Sequence, residues 1–179
     1  MKQLFTAAAA LAALLAAVPA VAADQTAKDF VTKAMEGNMA EIELGRLAES
    51  QAQSQDVKGF ARGMVNDHGK ARDQLATIAK KESLTMGTKL SDADQKRMDQ
   101  LKAMKGSQFD QAYMADMVKD HQDEVQSYQQ AQKSITDPEI KAYIDQTLPI
   151  LQSHLQSAQK LHQPEAAATP GQTKQQQTR

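Results

Sequence analysis

The sequence contains no cysteine and no tryptophan, and it has few aromatic, glycine and proline residues. Without cysteine the chain cannot form disulfides, thiolate zinc sites, iron–sulfur clusters, a thiol nucleophile or a lipid-modified N-terminal cysteine. Aromatic residues make up 4% of the 179 positions, which argues against a β-sandwich or β-barrel. The formal net charge of −1 gives no electrostatic reason to expect nucleic acid or an anionic membrane as a partner. The residues that are abundant, such as alanine, glutamine and leucine, favour helices, so composition predicts an all-α protein.

The first 22 residues have the parts of a secretory signal peptide. Lys2 supplies the positive charge, an apolar run occupies 4–18, and the Ala-Val-Ala sequence at 20–22 matches a small-residue cleavage site. We therefore predict cleavage after residue 22 or 23 and export to a bacterial periplasm. An uncleaved membrane anchor fits less well, because the run is short and ends in a processing site. No later segment is apolar enough to span a bilayer, so the mature chain has no predicted transmembrane segment.

Residues 24–162 form the predicted folded domain, because they carry the apolar periodicity of helices. Residues 163–179 are polar and compositionally biased, and they predict a disordered tail. Ser91 and the Asp137-Pro138 pair are typical helix-start residues. Four long helices and one short helix are predicted, at 26–53, 55–83, 91–105, 107–135 and 138–162.

The connection between the second and third long helices, residues 84–106, is long for a hairpin. It contains the short helix and can span the full height of the bundle, which allows those two long helices to run parallel. The predicted fold is therefore all-α, a ferritin-like four-helix bundle with a short extra helix in this crossover.

Each long helix has an apolar seam with an ionisable residue near its middle. Alternating steps of three and four residues place Glu41, His68, His121 and His154 at similar heights, with Glu124 following on the third seam. We predict that these side chains form one polar layer across the core. Two explanations are open. The layer can hold one zinc, iron or copper ion, or it can be structural, with Glu41 accepting hydrogen bonds from the histidines.

A short internal repeat supports the importance of this layer. Met-Val-Asn-Asp-His at 64–68 matches Met-Val-Lys-Asp-His at 117–121 in four of five positions. In each copy an aspartate, Asp67 or Asp120, precedes the histidine and is placed to orient an imidazole of an adjacent helix. The methionine one turn before each histidine suits copper, although a core methionine is more often a packing residue. Asp110 and Tyr113, on the third seam, are further candidates for the polar layer.

Longer motifs occur in a fixed order between residues 30 and 161. They are Glu41-Ile42-Glu43-Leu44-Gly45, Met64-Val65-Asn66-Asp67-His68, Phe109-Asp110-x-x-Tyr113, Met117-Val118-Lys119-Asp120-His121 and Leu148-Pro149-x-Leu151-x-x-His154. In content and spacing they resemble the bacterial exported family called domain of unknown function 4142, which is placed among ferritin-like four-helix bundles. The resemblance implies the fold and export, but no activity, because none is established for the family.

A ferritin-like fold does not by itself bring a di-iron centre. That centre needs Glu-x-x-His on two helices and a glutamate from each of the other two. Val65 stands three residues before His68, and Leu151 stands three before His154. The sequence therefore argues against two carboxylate-bridged irons, and one metal ion remains the cofactor hypothesis.

The sequence thus supports an exported bundle that binds a single transition metal through the predicted layer. The alternative is a non-catalytic structural or partner-binding envelope protein, used in stress, whose layer only fixes helix packing. An enzyme is the least supported reading, because there is no nucleophile–base motif and no phosphate-binding loop. A protein partner is not identifiable from the sequence, and a monomer and a dimer are both open.

Overall fold

The computed structural model describes residues 20–85 and 87–162, and these form five helices without a strand. Most of the predicted signal peptide and the whole predicted tail lie outside these residues. The helices are α1 (Ala20–Gln51), α2 (Gln55–Lys81), α3 (Asp92–Ala103), α4 (Gly106–Ser134) and α5 (Pro138–His162). The prediction of an all-α bundle with one short extra helix is confirmed, and α1 begins six residues before the predicted start.

Two antiparallel hairpins, α1–α2 and α4–α5, make up the bundle. Short connections force each pair to turn back on itself, and side chains cap the second helix of each pair. Ser54 Oγ accepts from the backbone N–H of Val57 at 3.4 Å at the start of α2. Asp137 Oδ1 accepts from the backbone N–H groups of Glu139 and Ile140, both at 2.9 Å, at the start of α5. These caps satisfy N–H groups that a helix cannot pair internally.

The crossover between the hairpins makes α2 and α4 parallel. Asp110, in the first turns of α4, accepts from the backbone N–H groups of Gln53 and Ser54 at 2.9 and 2.7 Å. The start of α4 therefore lies beside the start of α2. At the other end, Lys81 Nζ is 2.5 Å from Glu139 Oε1, which joins the end of α2 to the start of α5. The chain must climb the bundle between these ends, as the long connection predicts.

Helix α3 lies in this crossover and packs against α1 and α4. Ser91 Oγ caps it by accepting from the backbone N–H of Asp94 at 3.1 Å. Gln51 Nε2, at the end of α1, donates to the carbonyls of Leu101 and Met104 at 3.1 and 2.5 Å. Gly106 then starts α4 with a positive φ of 58°, a conformation that favours glycine. The C-terminal end of α3 is thus fixed to the end of α1.

Two apolar clusters fill the core, one on each side of a polar layer. One cluster includes Phe30 of α1 and Leu75 of α2, and the other includes Leu44 of α1 and Met64 of α2. The buried polar residues Asn38, Glu41, His68 and His121 come from the segments between the clusters. Along the described residues, no helix is both long and apolar enough to cross a membrane.

Candidate metal centre

Three histidines from three helices meet in the polar layer. His68 comes from α2, His121 from α4 and His154 from α5, and we call them the histidine cluster. One ring nitrogen of each lies within 4.8 Å of the corresponding nitrogens of the other two. The ring centroids are 5.4 to 5.6 Å apart. His68 and His121 are 3% and 0% exposed and the His154 side chain is 12% exposed, so two rings lie deep in the protein and the third lies nearer the surface.

Each imidazole has one ring nitrogen bonded to an oxygen acceptor. His68 Nδ1 is 3.0 Å from Asn38 Oδ1, and His121 Nδ1 is 2.9 Å from the backbone carbonyl of Met117. His154 Nε2 is 3.2 Å from Asp67 Oδ2. Because all three partners accept, the proton of each neutral ring belongs on the bonded nitrogen.

The other nitrogen of each ring is buried and has no hydrogen-bond partner. These nitrogens are Nε2 of His68, Nε2 of His121 and Nδ1 of His154. With the ring protons on the opposite nitrogens, each of these atoms presents a lone pair. Metal-binding histidines in proteins have this arrangement, in which the second nitrogen donates to a carbonyl or carboxylate.

Burial keeps the cluster neutral. Burial, followed by the neighbouring imidazoles, holds the pKa of His68 well below its ordinary value. Burial is also the main cause that lowers the pKa of His121 to about 4. The pKa of His154 is lowered by burial as well, although the Asp67 carboxylate acts in the opposite direction. At neutral pH all three rings are therefore uncharged, as metal ligation requires.

Asn38, rather than Glu41, is the residue of α1 that contacts the cluster. Asn38 is 2% exposed, and its Nδ2 donates to the carbonyl of Ala34 at 2.7 Å, which leaves Oδ1 for His68. The sequence pattern did not predict this residue, because steps of three and four residues along α1 lead to Glu41 instead. Its signal was an amide four residues after the apolar Ala34, in the middle of a buried helix.

Glu41 and Glu124 face a different space, a cavity of about 300 Å³ between α1, α4 and α3. We call it the acidic cavity. Its lining residues are Phe30, Lys33, Ala34, Gly37, Ala40, Glu41, Asp94, Arg97, Asp120, Asp123, Glu124, Ser127 and Tyr128. Burial and then the facing Glu124 raise the pKa of Glu41 well above its ordinary value, and burial raises the pKa of Glu124 to about 8. No histidine lines this cavity. The predicted single layer is therefore divided into a histidine cluster and a carboxyl pair.

The two aspartates of the internal repeat also make different contacts. Asp67 contacts His154 across the α2–α5 interface. Asp120 instead forms an ion pair with Arg97 of α3, and Arg97 Nε lies 3.2 Å from Asp116. The sequence did not predict the roles of Arg97 and Asp116, because a contact between a crossover helix and α4 leaves no local pattern.

The remaining two candidates lie away from the histidines. Asp110 binds the backbone of the α1–α2 turn, as described above. Tyr113 is fully buried, stacks on Phe109 with centroids 6.0 Å apart, and has no partner for its hydroxyl. Neither contact connects these residues to an imidazole.

The fold and the site together define a helical bundle with a buried three-histidine cluster. The chain belongs to the family described as domain of unknown function (DUF4142), whose model matches residues 12–161. No curated protein is significantly similar to it in sequence.

Two solved structures resemble the fold. A DUF305 fragment from Deinococcus radiodurans is 12% identical with a TM-score of 0.68, and it covers 76% of this chain and 95% of its own. CopM in the Cu(II)-bound form is 15% identical with a TM-score of 0.62, and the same shares of the two chains are covered. At these identities the likeness concerns the bundle alone.

Proposed function

We propose that this protein binds a single transition-metal ion through His68, His121 and His154, and that copper is the preferred metal. The observation that carries the proposal is the set of three buried lone pairs on neutral imidazoles, each held in place by an acceptor on the opposite ring nitrogen. A buried polar atom without a partner is costly, and three of them on rings of one cluster need a common explanation. A metal ion is that explanation.

The ligand type narrows the choice of metal. Imidazole suits copper, zinc, iron and nickel, and it does not suit magnesium or calcium. The cluster supplies three ligands, fewer than the four of a structural zinc site, and three histidines with an open position suit zinc as well as copper. Among divalent ions, affinity for a nitrogen site is highest for Cu(II). The solved neighbour CopM, which has a similar bundle, is itself in a Cu(II)-bound form.

A purely structural layer explains the cluster less well. A structural layer would require the histidines to form hydrogen bonds with one another or to donate hydrogen bonds to Glu41. Every ring already donates to another acceptor, and the free nitrogens can only accept. Glu41 Oε2, which would have to receive a proton from them, has no partner. We accordingly favour metal binding, and we place it in the periplasm that the N-terminal segment predicts.

Metal titration of the apo protein tests the proposal. The protein is purified without a metal-affinity step and titrated separately with Cu(II), Zn(II) and Fe(II) by calorimetry, with electron paramagnetic resonance for Cu(II). We expect one Cu(II) per chain, bound more tightly than Zn(II). His121→Ala should weaken Cu(II) binding by at least about 100-fold, because a ligand is lost.

His162→Ala is the matched control, because His162 is exposed at the end of α5. It should bind Cu(II) like the wild type. His121→Gln, which keeps a polar side chain of similar size, separates loss of a ligand from loss of packing, and circular dichroism reports the helical content of each variant. Equal Cu(II) affinity of wild type and His121→Gln would overturn the proposal, as would a wild type that binds none of the three metals.

A further inference from the structure

The acidic cavity is a second polar feature of the bundle that metal binding does not use. Its volume is about 300 Å³, at the lower end for small-molecule sites. Its lining runs from the exposed residues Lys33, Asp123 and Ser127 to Glu41, which is 1% exposed. The cavity therefore connects solvent with a carboxyl group in the core.

Two carboxyl oxygens in this cavity have no hydrogen-bond partner. They are Oε2 of Glu41 and Oε2 of Glu124, and both are buried. The one guanidinium that lines the cavity does not satisfy them: Arg97 forms ion pairs with Asp116 and Asp120, and its own Nη2 is also buried without a hydrogen-bond partner. Burying a carboxyl group without a donor is unfavourable, so this pair calls for a ligand with hydrogens to donate.

The charge of the lining selects a cation. Five lining residues carry carboxyl groups and two carry positive charges, one of which is the paired Arg97. Burial and the facing carboxyl groups raise the pKa values of Glu41 and Glu124, to about 8 for Glu124. Near neutral pH this keeps the two carboxyl groups largely protonated, and a cation bound between them would favour their ionised form, whereas an anion would oppose it.

The geometry favours an organic cation over a metal ion. Among the described residues, the histidine cluster is the one group that brings three metal-ligand atoms within 4.8 Å, and the carboxyl groups of the cavity do not do so. A bare ion would also leave most of the space unfilled, since a water molecule takes about 30 Å³ of liquid volume. Phe30, Ala34 and Tyr128 give the cavity apolar walls suited to a hydrocarbon group.

We propose that the acidic cavity binds a small primary alkylammonium ion. Its N–H groups point at the unpartnered oxygens of Glu41 and Glu124, and its hydrocarbon part packs against Phe30 and Tyr128. Gly37 contributes to the shape, because a Cβ at this position would lie 3.1 Å from Glu124 Oε1 and press on the carboxyl group. The proposal does not depend on metal binding by the histidine cluster.

The test compares n-butylammonium with n-butanol, which has nearly the same shape and no charge. Binding is followed by heteronuclear NMR of the full folded domain in metal-free buffer. We expect n-butylammonium to bind with a Kd of about 1 mM, a value within the range for a ligand of this size, and n-butanol not to bind. The shifted amide signals should include those of Gly37, Glu41 and Glu124.

Two isosteric variants and two controls decide the outcome. Glu41→Gln and Glu124→Gln should each weaken n-butylammonium binding about 10-fold or more, because a charged hydrogen bond is lost. Glu139→Gln removes an exposed carboxylate paired with Lys81 and should have no effect. The second control is the metal-free buffer itself: amine binding there, with no metal at the histidine cluster, separates this proposal from the metal site.

Three results would overturn the proposal. They are equal binding of n-butanol, wild-type affinity in both Glu→Gln variants, and shifts of the same signals by Ca²⁺ or Mg²⁺ but not by the amine. The NMR spectrum of each variant also reports whether it is folded, so loss of binding cannot be confused with loss of structure.

Discussion

The histidine cluster and the acidic cavity lie in the same layer of the bundle but differ in how their polar atoms are satisfied. In the histidine cluster each ring donates to a protein acceptor, so its protonation and orientation are fixed. In the acidic cavity the carboxyl groups of Glu41 and Glu124 each have an oxygen without a donor. Burial makes the first group neutral by lowering its pKa values and the second by raising them. One layer of the bundle therefore presents unpaired ring nitrogens on one side and unpaired carboxyl oxygens on the other.

The internal repeat shows where this difference comes from. Asp67 and Asp120 occupy equivalent positions in the two copies, on helices that run parallel. Asp67 meets an imidazole of α5, whereas Asp120 meets Arg97 because α3 covers that side of the bundle. The same local sequence therefore supports a metal ligand in one place and a cavity wall in the other.

The largest expected effect is on metal affinity, and it separates these two aspartates. Asp67→Ala removes the acceptor of His154 and should weaken Cu(II) binding by about 10- to 100-fold. Asp120→Ala should change it much less, because its side chain pairs with Arg97. Calorimetric titration of both variants measures the difference, and equal losses would contradict the division into two regions.

A smaller effect concerns the stability of the metal-free protein between pH 5 and pH 8. The pKa of Glu124 is about 8 in the folded chain, against an ordinary value of 4.5, so the folded state binds more protons between these values. Stability therefore falls as the pH rises from about 5 to 8. Glu124→Gln should remove this loss, so that between pH 5 and pH 8 its free energy of unfolding improves by about 2 kcal/mol relative to the wild type. The gain is smaller than the full linkage value because Glu41 titrates together with Glu124.

Urea unfolding at the two pH values measures this gain. Glu139→Gln serves as the control, since its carboxylate is exposed on the surface. A Glu124→Gln variant with the same pH dependence as the wild type would show that this carboxyl group titrates normally.

The smallest effect has the opposite sign and belongs to the histidine cluster. The pKa of His121 is about 4 when folded, against an ordinary 6.5, so below pH 6.5 the unfolded chain takes up the proton and the folded chain does not. Stability is therefore lost as the pH falls from 6.5 towards 4. At pH 5.5, one unit below the ordinary value, this costs about 1 kcal/mol per histidine.

Between pH 7 and pH 5.5 in metal-free buffer, the free energy of unfolding of His121→Gln should fall by about 1 kcal/mol less than that of the wild type. His162→Gln, at the exposed end of α5, should behave like the wild type. An unchanged acid response in His121→Gln would mean that this ring takes up its proton over the same pH range in the folded and unfolded chains.

The helices and their order follow from the sequence because their signals are local. Ser91 and Asp137 cap helices as their residue types predict, and the length of the crossover gives the parallel arrangement of α2 and α4. The three histidines also follow from the seams, since positions spaced by three and four residues share a face.

The partners of the site do not follow in the same way. Asn38 and Glu41 are three residues apart, so their side chains leave α1 in directions about 60° apart, and seam spacing cannot tell which one meets the histidines. Arg97 lies on α3, and its contact with Asp120 depends on how the crossover packs. Periodicity gives the buried face of a helix, but the neighbour behind each residue is a tertiary property.

The parallel crossover has a consequence for how the two sites assemble. The α1–α2 hairpin carries His68 and Glu41, and the α4–α5 hairpin carries His121, His154 and Glu124. Neither hairpin contains a whole site, so a chain cut within the exposed part of the crossover would divide both of them between its fragments. Binding of a metal ion or an amine would then show whether the two hairpin fragments had reassembled. In the intact chain, an ion bound by His68, His121 and His154 would link the two hairpins through residues that are far apart in sequence.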